Sequence, residues 1–79
     1  MEILINVKTI SGRKLTFTVE LTQKISDIKK FLAEKEGIPV SQTILTYFGK
    51  ILKDDSTIEE AKIVRGSTLY QKIPLKGEF

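Results

Sequence analysis

"KISDIKKFLAEKEGIP", residues 24–39, is where the hydrophobic period of the chain changes, and its reading decides the architecture. Ile25, Ile28 and Leu32 recur at helical spacing, Phe31 flanks them, and Lys29, Lys30, Glu34 and Lys35 spread over the remainder. The stop signal is strong. Gly37 suits the left-handed position just past the last helical residue, Ile38 supplies an apolar contact after it, and Pro39 prevents continuation. The start is less defined, because Lys24 cannot cap; Thr22 and Ser26 are the alternative acceptors. A single amphipathic helix needs a sheet to cover its apolar stripe.

The sheet is legible on both sides. Upstream, "EILINVKT" (2–9) alternates, with Ile3, Ile5 and Val7 on one face and Leu4, Asn6 and Lys8 on the other. A Ser-Gly turn leads into "LTFTVEL" (15–21), which alternates again through Leu15, Phe17 and Val19, so the two runs form a β-hairpin. Downstream, "TILTYF" (43–48) places Leu45 and Tyr47 on one face and Ile44, Thr46 and Phe48 on the other. Gly49 and Lys50 turn the chain, and Ile51 and Leu52 allow a very short strand. Asp54, Asp55 and Ser56 are turn formers, and Thr57 with Glu60 matches the capping box that opens a one- or two-turn helix, "IEEAKI" (58–63). "TLYQKIPL" (68–75) is the last strand. The order ββ-α-ββ-(short helix)-β predicts an α+β fold, one helix packed on a sheet built from two hairpin-like halves.

Composition narrows the chemistry. The 79 residues allow one domain, and 41% are hydrophobic, enough for a core. Cysteine and histidine are both absent, which removes disulfides, thiolate nucleophiles, imidazole acid–base chemistry and the usual zinc ligands. The acidic group Asp54, Asp55, Glu59 and Glu60 lacks the spacing of a calcium loop, and turn formation plus favourable charge at a helix start accounts for it. The five glycines are isolated, so no phosphate-cradling loop is present. No catalytic residue, metal site or cofactor is expected. Net charge is +3, from 13 basic and 10 acidic residues, and the lysines are dispersed, which argues against nucleic acid as the partner. No apolar run approaches membrane-spanning length, and "MEILINVK" does not read as a signal peptide. A cysteine-free chain suits the cytoplasm or nucleus.

Order and residues together resemble ubiquitin and ubiquitin-like domains from Ile3 to about Gly77. The segments that carry the resemblance are "VKTISGRKLTFTVE", "IKKFLAEKEGIPVSQ", "FGKILKDDSTIEE" and "GSTLYQ", with "KEGIP" and Gly49, Lys50, Leu52 and Asp54 the most diagnostic. The resemblance implies a β-grasp: a mixed sheet of about five strands round one α-helix plus a short second helix. The N-terminal hairpin would be central and the last strand parallel to the first. Residues 1–79 would form one domain, with a folded body to Leu75 and a flexible tail over 76–79. The inward residues expected from alternation alone are Ile3, Ile5, Val7, Leu15, Phe17, Val19, Ile25, Ile28, Leu32, Leu45, Leu52, Ile58, Ile63 and Leu69, and they agree with that core. One departure is Gln71, which falls where the family usually buries an aliphatic side chain; a backbone partner for its amide would accommodate it.

The resemblance also implies where proteins bind. Ubiquitin-like proteins carry an aliphatic patch on the sheet face that helical ubiquitin-binding motifs grip, and the matching positions here are Ile10, Thr46 and Lys72. Its apolar centre is largely lost. Ile44, Phe48, Gly49, Lys50 and Tyr70 surround those positions, which predicts an aromatic-rimmed basic surface suited to a partner with acidic residues beside apolar ones. Ile38, Ile73 and Leu75, with Ile10, match a smaller contact patch of the family. A covalent modifier ends in a slim Gly-Gly pair; here Gly77 matches the first glycine and Glu78 stands in place of the second. Pro74 matches the arginine read by activating enzymes. These departures favour a monomeric, non-covalent interaction module of the ubiquitin–proteasome pathway. Its expected partners are a proteasome receptor, ligase, segregase or ubiquitin-binding domain. The alternative is a modifier joined to target lysines through its C-terminal glycine.

Overall fold

The computed structural model describes residues 1–73. The chain forms β1 (Glu2–Lys8), β2 (Lys14–Glu20), α1 (Ile25–Glu36), a 3₁₀ turn (Val40–Gln42), β3 (Ile44–Tyr47), β4 (Lys50–Ile51) and β5 (Thr68–Lys72). The strands make one mixed sheet in the order β2-β1-β5-β3-β4. β1 pairs antiparallel with β2 over seven residues from each strand and parallel with β5, placing Val7 beside Leu69. β5 pairs antiparallel with β3, Leu45 beside Gln71. The last strand is therefore central. The hairpin expected at the centre lies to one side instead, with β2 on the edge, because β5 takes the second flank of β1.

Alternation decides the core. Ile3, Ile5, Val7 and Val19 on the hairpin, Leu45 on β3 and Leu69 on β5 face Ile25, Ile28 and Leu32 of α1. Ile58 and Ile63 close one end, while Leu15, Phe17 and Leu52 pack around the margin, half-buried. The rings of Phe17 and Phe31 stack with centroids 5.7 Å apart. Gln71 is also buried, and its amide is satisfied: Oε1 accepts from the Ile10 N–H at 3.2 Å and Nε2 donates to Thr43 Oγ1 at 3.5 Å.

Both ends of α1 have a physical explanation. Gly37 sits at φ 73° and donates its N–H to Ala33, closing the C-terminus. At the N-terminus neither Thr22 nor Ser26 caps through its side chain. Main-chain carbonyls from the following turn do so instead, Ser56 accepting from the Ile25 N–H and Asp54 from the Ser26 N–H. The same turn brings the Asp54 carboxylate onto Lys29, which helical periodicity placed on the solvated side but which the structure buries.

The segment expected as a second short helix keeps its cap but not its helix. Thr57 Oγ1 accepts from the Glu60 N–H at 3.0 Å, and a Glu60 carboxylate oxygen accepts from the Thr57 N–H at 2.9 Å. Lys62 then enters the left-handed region at φ 60°, stopping the chain after one turn and letting both Ile58 and Ile63 reach the core. The regular short helix is the 3₁₀ turn at Val40–Gln42.

The Glu60 carboxyl is held below the ordinary glutamate value, first by the Thr57 backbone N–H and second by the Thr57 side chain. A folded-state value below the unfolded one contributes stability that is fully present above the unfolded value and fades as pH falls through the folded one. Glu60→Gln should therefore lower the neutral plateau of a stability–pH profile and flatten its acid limb, the variant and parent converging at low pH, as followed by urea unfolding at stepped pH.

Candidate protein-binding site

The face of the sheet turned away from α1 is built by the strand registers. Paired residues share a face. One row crosses all five strands: Lys14 opposite Lys8, Lys8 opposite Tyr70, Tyr70 opposite Thr46, and Thr46 opposite Ile51. The next row places Lys72 opposite Ile44. Tyr70, Ile10 and Ile51 are exposed, with Ile51 65% accessible. Among the described residues no ion pair engages Lys8, Lys14 or Lys72. The result is a basic surface carrying separate apolar projections.

Ile10 approaches this face from the β1–β2 turn. The turn is tied down: Arg13 N donates to Thr9 Oγ1, and Arg13 Nη1 and Ser11 Oγ both donate to Glu36 at the end of α1, at 2.9 and 3.1 Å. Between turn and β5 lies an open cleft of about 590 Å³, lined by Ile10, Ile73, Tyr70, Gln71 and Lys72 among others. Ile10 and Ile73 of the expected smaller patch thus meet in one cleft. Ile38 is half-buried and does not line it, and Leu75 and Gly77 lie outside the described residues.

The structure redraws the expected surface at three positions. Thr46, on the outer row, is only 6% exposed, and its hydroxyl donates to the Tyr70 carbonyl at 3.5 Å. Lys50 pairs with Tyr47 and so belongs to the opposite face, beside Leu52, Ala61 and Lys62. Phe48 is not a strand residue but the first residue of a two-residue hairpin turn, 85% exposed at φ 51°, followed by Gly49 at φ 76°. Two successive positive φ values are the pattern of a type I′ turn, which matches strand twist. Sequence reading missed Ile51, although carrying the alternation of β3 through a two-residue turn would have put it beside Thr46.

A scan against protein-family models matches this chain to the Ubiquitin family over residues 5–75. The chain belongs to the ubiquitin family. Among similar members, Ubiquitin-like protein 1 of Schizosaccharomyces pombe is 40% identical over 74 residues, covering 94% of this chain and 95% of its own. Ubiquitin-like protein NEDD8 of Dictyostelium discoideum is 42% identical over 74 residues, with 94% and 96% covered. Ubiquilin of the same organism is 41% identical over 66 residues, 84% of this chain but 13% of ubiquilin. The ubiquitin-family fold is thus found both in relatives of this chain's own length and inside a much longer protein.

Phe48 carries a conformational cost that its exposure does not recover. Left-handed backbone is rare for a bulky residue, and one such residue costs of order 1–2 kcal/mol. Its ring meets Tyr47, centroids 4.5 Å apart, which offsets part of this. Phe48→Asn, giving the Asn-Gly pair that type I′ turns favour, should raise stability by about 0.5–1 kcal/mol in denaturant unfolding.

Proposed function

We propose that this ubiquitin-family domain acts as a non-covalent protein-interaction module, docking partners of a ubiquitin- or proteasome-related pathway on the outer face of its sheet. The observation that carries this is the row in which exposed Tyr70 and Ile51 lie among lysines that no acid of the described residues pairs. An aromatic anchor beside unpaired cations suits a partner that presents an apolar side chain next to carboxylates. Glu78 after Gly77 supports the same reading, since a side chain there is poorly suited to the thioester route of a modifier. The module would work as a monomer in the cytoplasm or nucleus.

The second reading, a covalent modifier joined through Gly77, is favoured by the end-to-end match to the NEDD8-named relative. Two measurements separate them. Affinities of purified proteasome receptors, segregase domains and ubiquitin-binding domains are compared for the parent and Tyr70→Ala; the proposal expects at least one binder and a roughly tenfold or greater loss, as for a central aromatic anchor. Incubation with activating enzyme, ATP and cell extract should then give no thioester. Adducts that survive reducing denaturation would establish the modifier instead.

A further inference from the structure

The far side of the β3–β4 hairpin holds a feature that the sheet face does not use. A slot of about 300 Å³ lies between the hairpin and the turn at 57–63, walled by Tyr47, Phe48, Leu52 and Ala61 and flanked by Lys50 and Lys62. Three observations bear on it. Its lining is mostly apolar, and Ala61 contributes only a methyl group to it. Phe48 stands almost fully in solvent from a left-handed backbone position, and backbone strain of this kind clusters at active sites, ligand clamps and switch regions. Lys50 and Lys62 form no ion pair among the described residues.

From these we infer that the slot is a second docking site, which takes one aromatic side chain of an acidic peptide segment. Its volume lies at the lower end of the range for ligand pockets, which suits a single side chain better than a whole cofactor. Ring faces of Tyr47 and Phe48 give an inserted aromatic its packing partners. Lys50 and Lys62 give the flanking carboxylates theirs, so charge complementarity selects an acidic peptide over a basic one. Lys50 thus contacts protein on the face opposite Tyr70, and one partner could engage both sides of the hairpin.

The test is an ¹⁵N-detected titration of the intact chain with a blocked heptapeptide, three glutamates on each side of one phenylalanine. Shifts are expected at the amides of Phe48, Lys50, Ala61 and Lys62. Replacing the peptide's phenylalanine by serine, or its glutamates by lysines, should abolish them. Ala61→Tyr, which fills the slot, should weaken binding at least tenfold. Phe48→Asn should weaken it similarly while the fold becomes more stable, so lost binding cannot be ascribed to unfolding. Tyr70→Ala should leave this peptide's affinity unchanged, which keeps the outcome separate from that of the sheet face. The inference is overturned if the shifts map to Tyr70 and Lys72, if Ala61→Tyr binds like the parent, or if the lysine peptide binds equally. Concentration-dependent shifts at the same amides without peptide would overturn it in favour of self-association.

Discussion

Leu45→Ala is expected to lower the unfolding free energy by about 3 kcal/mol and the melting temperature by roughly 10–20 °C. Leu45 is fully buried on β3, among the largest side chains of the core. Its strand is hydrogen-bonded on both flanks, to β5 and to β4, and the Leu45 carbonyl also accepts from the Leu52 N–H at 2.8 Å. A backbone held on two sides cannot sink into the space that a lost isobutyl group leaves, so much of the cavity persists. Domains of this length have total stabilities of roughly 4–12 kcal/mol, so one such cavity removes a large share. Ile51→Ala, one strand away but exposed, is the control and should change stability by less than about 0.5 kcal/mol. Urea unfolding with an unchanged slope checks both. A loss below 1 kcal/mol at Leu45 would mean that the sheet is looser than its pairing implies.

Asp54→Ala is the second large effect, an expected loss of about 2 kcal/mol. The Lys29 side chain is 9% exposed and that of Asp54 54%, so the mutation strands a buried ammonium while removing a carboxylate that was half in water. A fully buried pair broken on one side costs about 3–5 kcal/mol; solvent around Asp54 screens this one, hence the smaller figure. The Asp54 carbonyl that accepts from the Ser26 N–H survives the substitution, so the helix start is retained. Lys29→Met should by contrast stay within about 1 kcal/mol of the parent, because an apolar chain of similar length fills the same space without a charge to satisfy. The double variant Lys29→Met/Asp54→Ala should then be more stable than Asp54→Ala alone. Equal stabilities for those two would show that the loss at Asp54 comes from the turn and not from the stranded lysine.

What the sequence disclosed, and what it hid, follows from the range of the interaction concerned. Alternation in β1 and β2, the period of α1 and the stop at Gly37 are local, and every inward side chain expected from them is either buried or packed on the core. The Thr57–Glu60 box was likewise legible, being a contact over three residues. Two of the misreadings needed knowledge of distant chain. Lys29 sits on the polar side of a helical wheel, and only the arrival of the 54–56 turn buries it. Thr46 looks like an outward strand residue, but it lies between β5 and β4, deep enough in the sheet for its neighbours to cover it. Lys50 depends on the number of residues in a turn, since one position more or less exchanges the faces of everything beyond it.

The central place of β5 bears on how the molecule is made. Among the described residues the β1–β2 pair and the β3–β4 pair share no hydrogen-bond ladder of their own; each is joined to the other through Thr68–Lys72. During synthesis the ribosome delivers the hairpin, the helix and the second strand pair first, at about 5–20 residues per second. All of them must wait for a five-residue keystone, and Asn6 finds its neighbour Thr68 only after 61 intervening residues have been added. Closing so long a loop makes assembly a late, concerted event, in which a nascent chain halted just short of residue 68 exposes two unpaired strand edges to its surroundings.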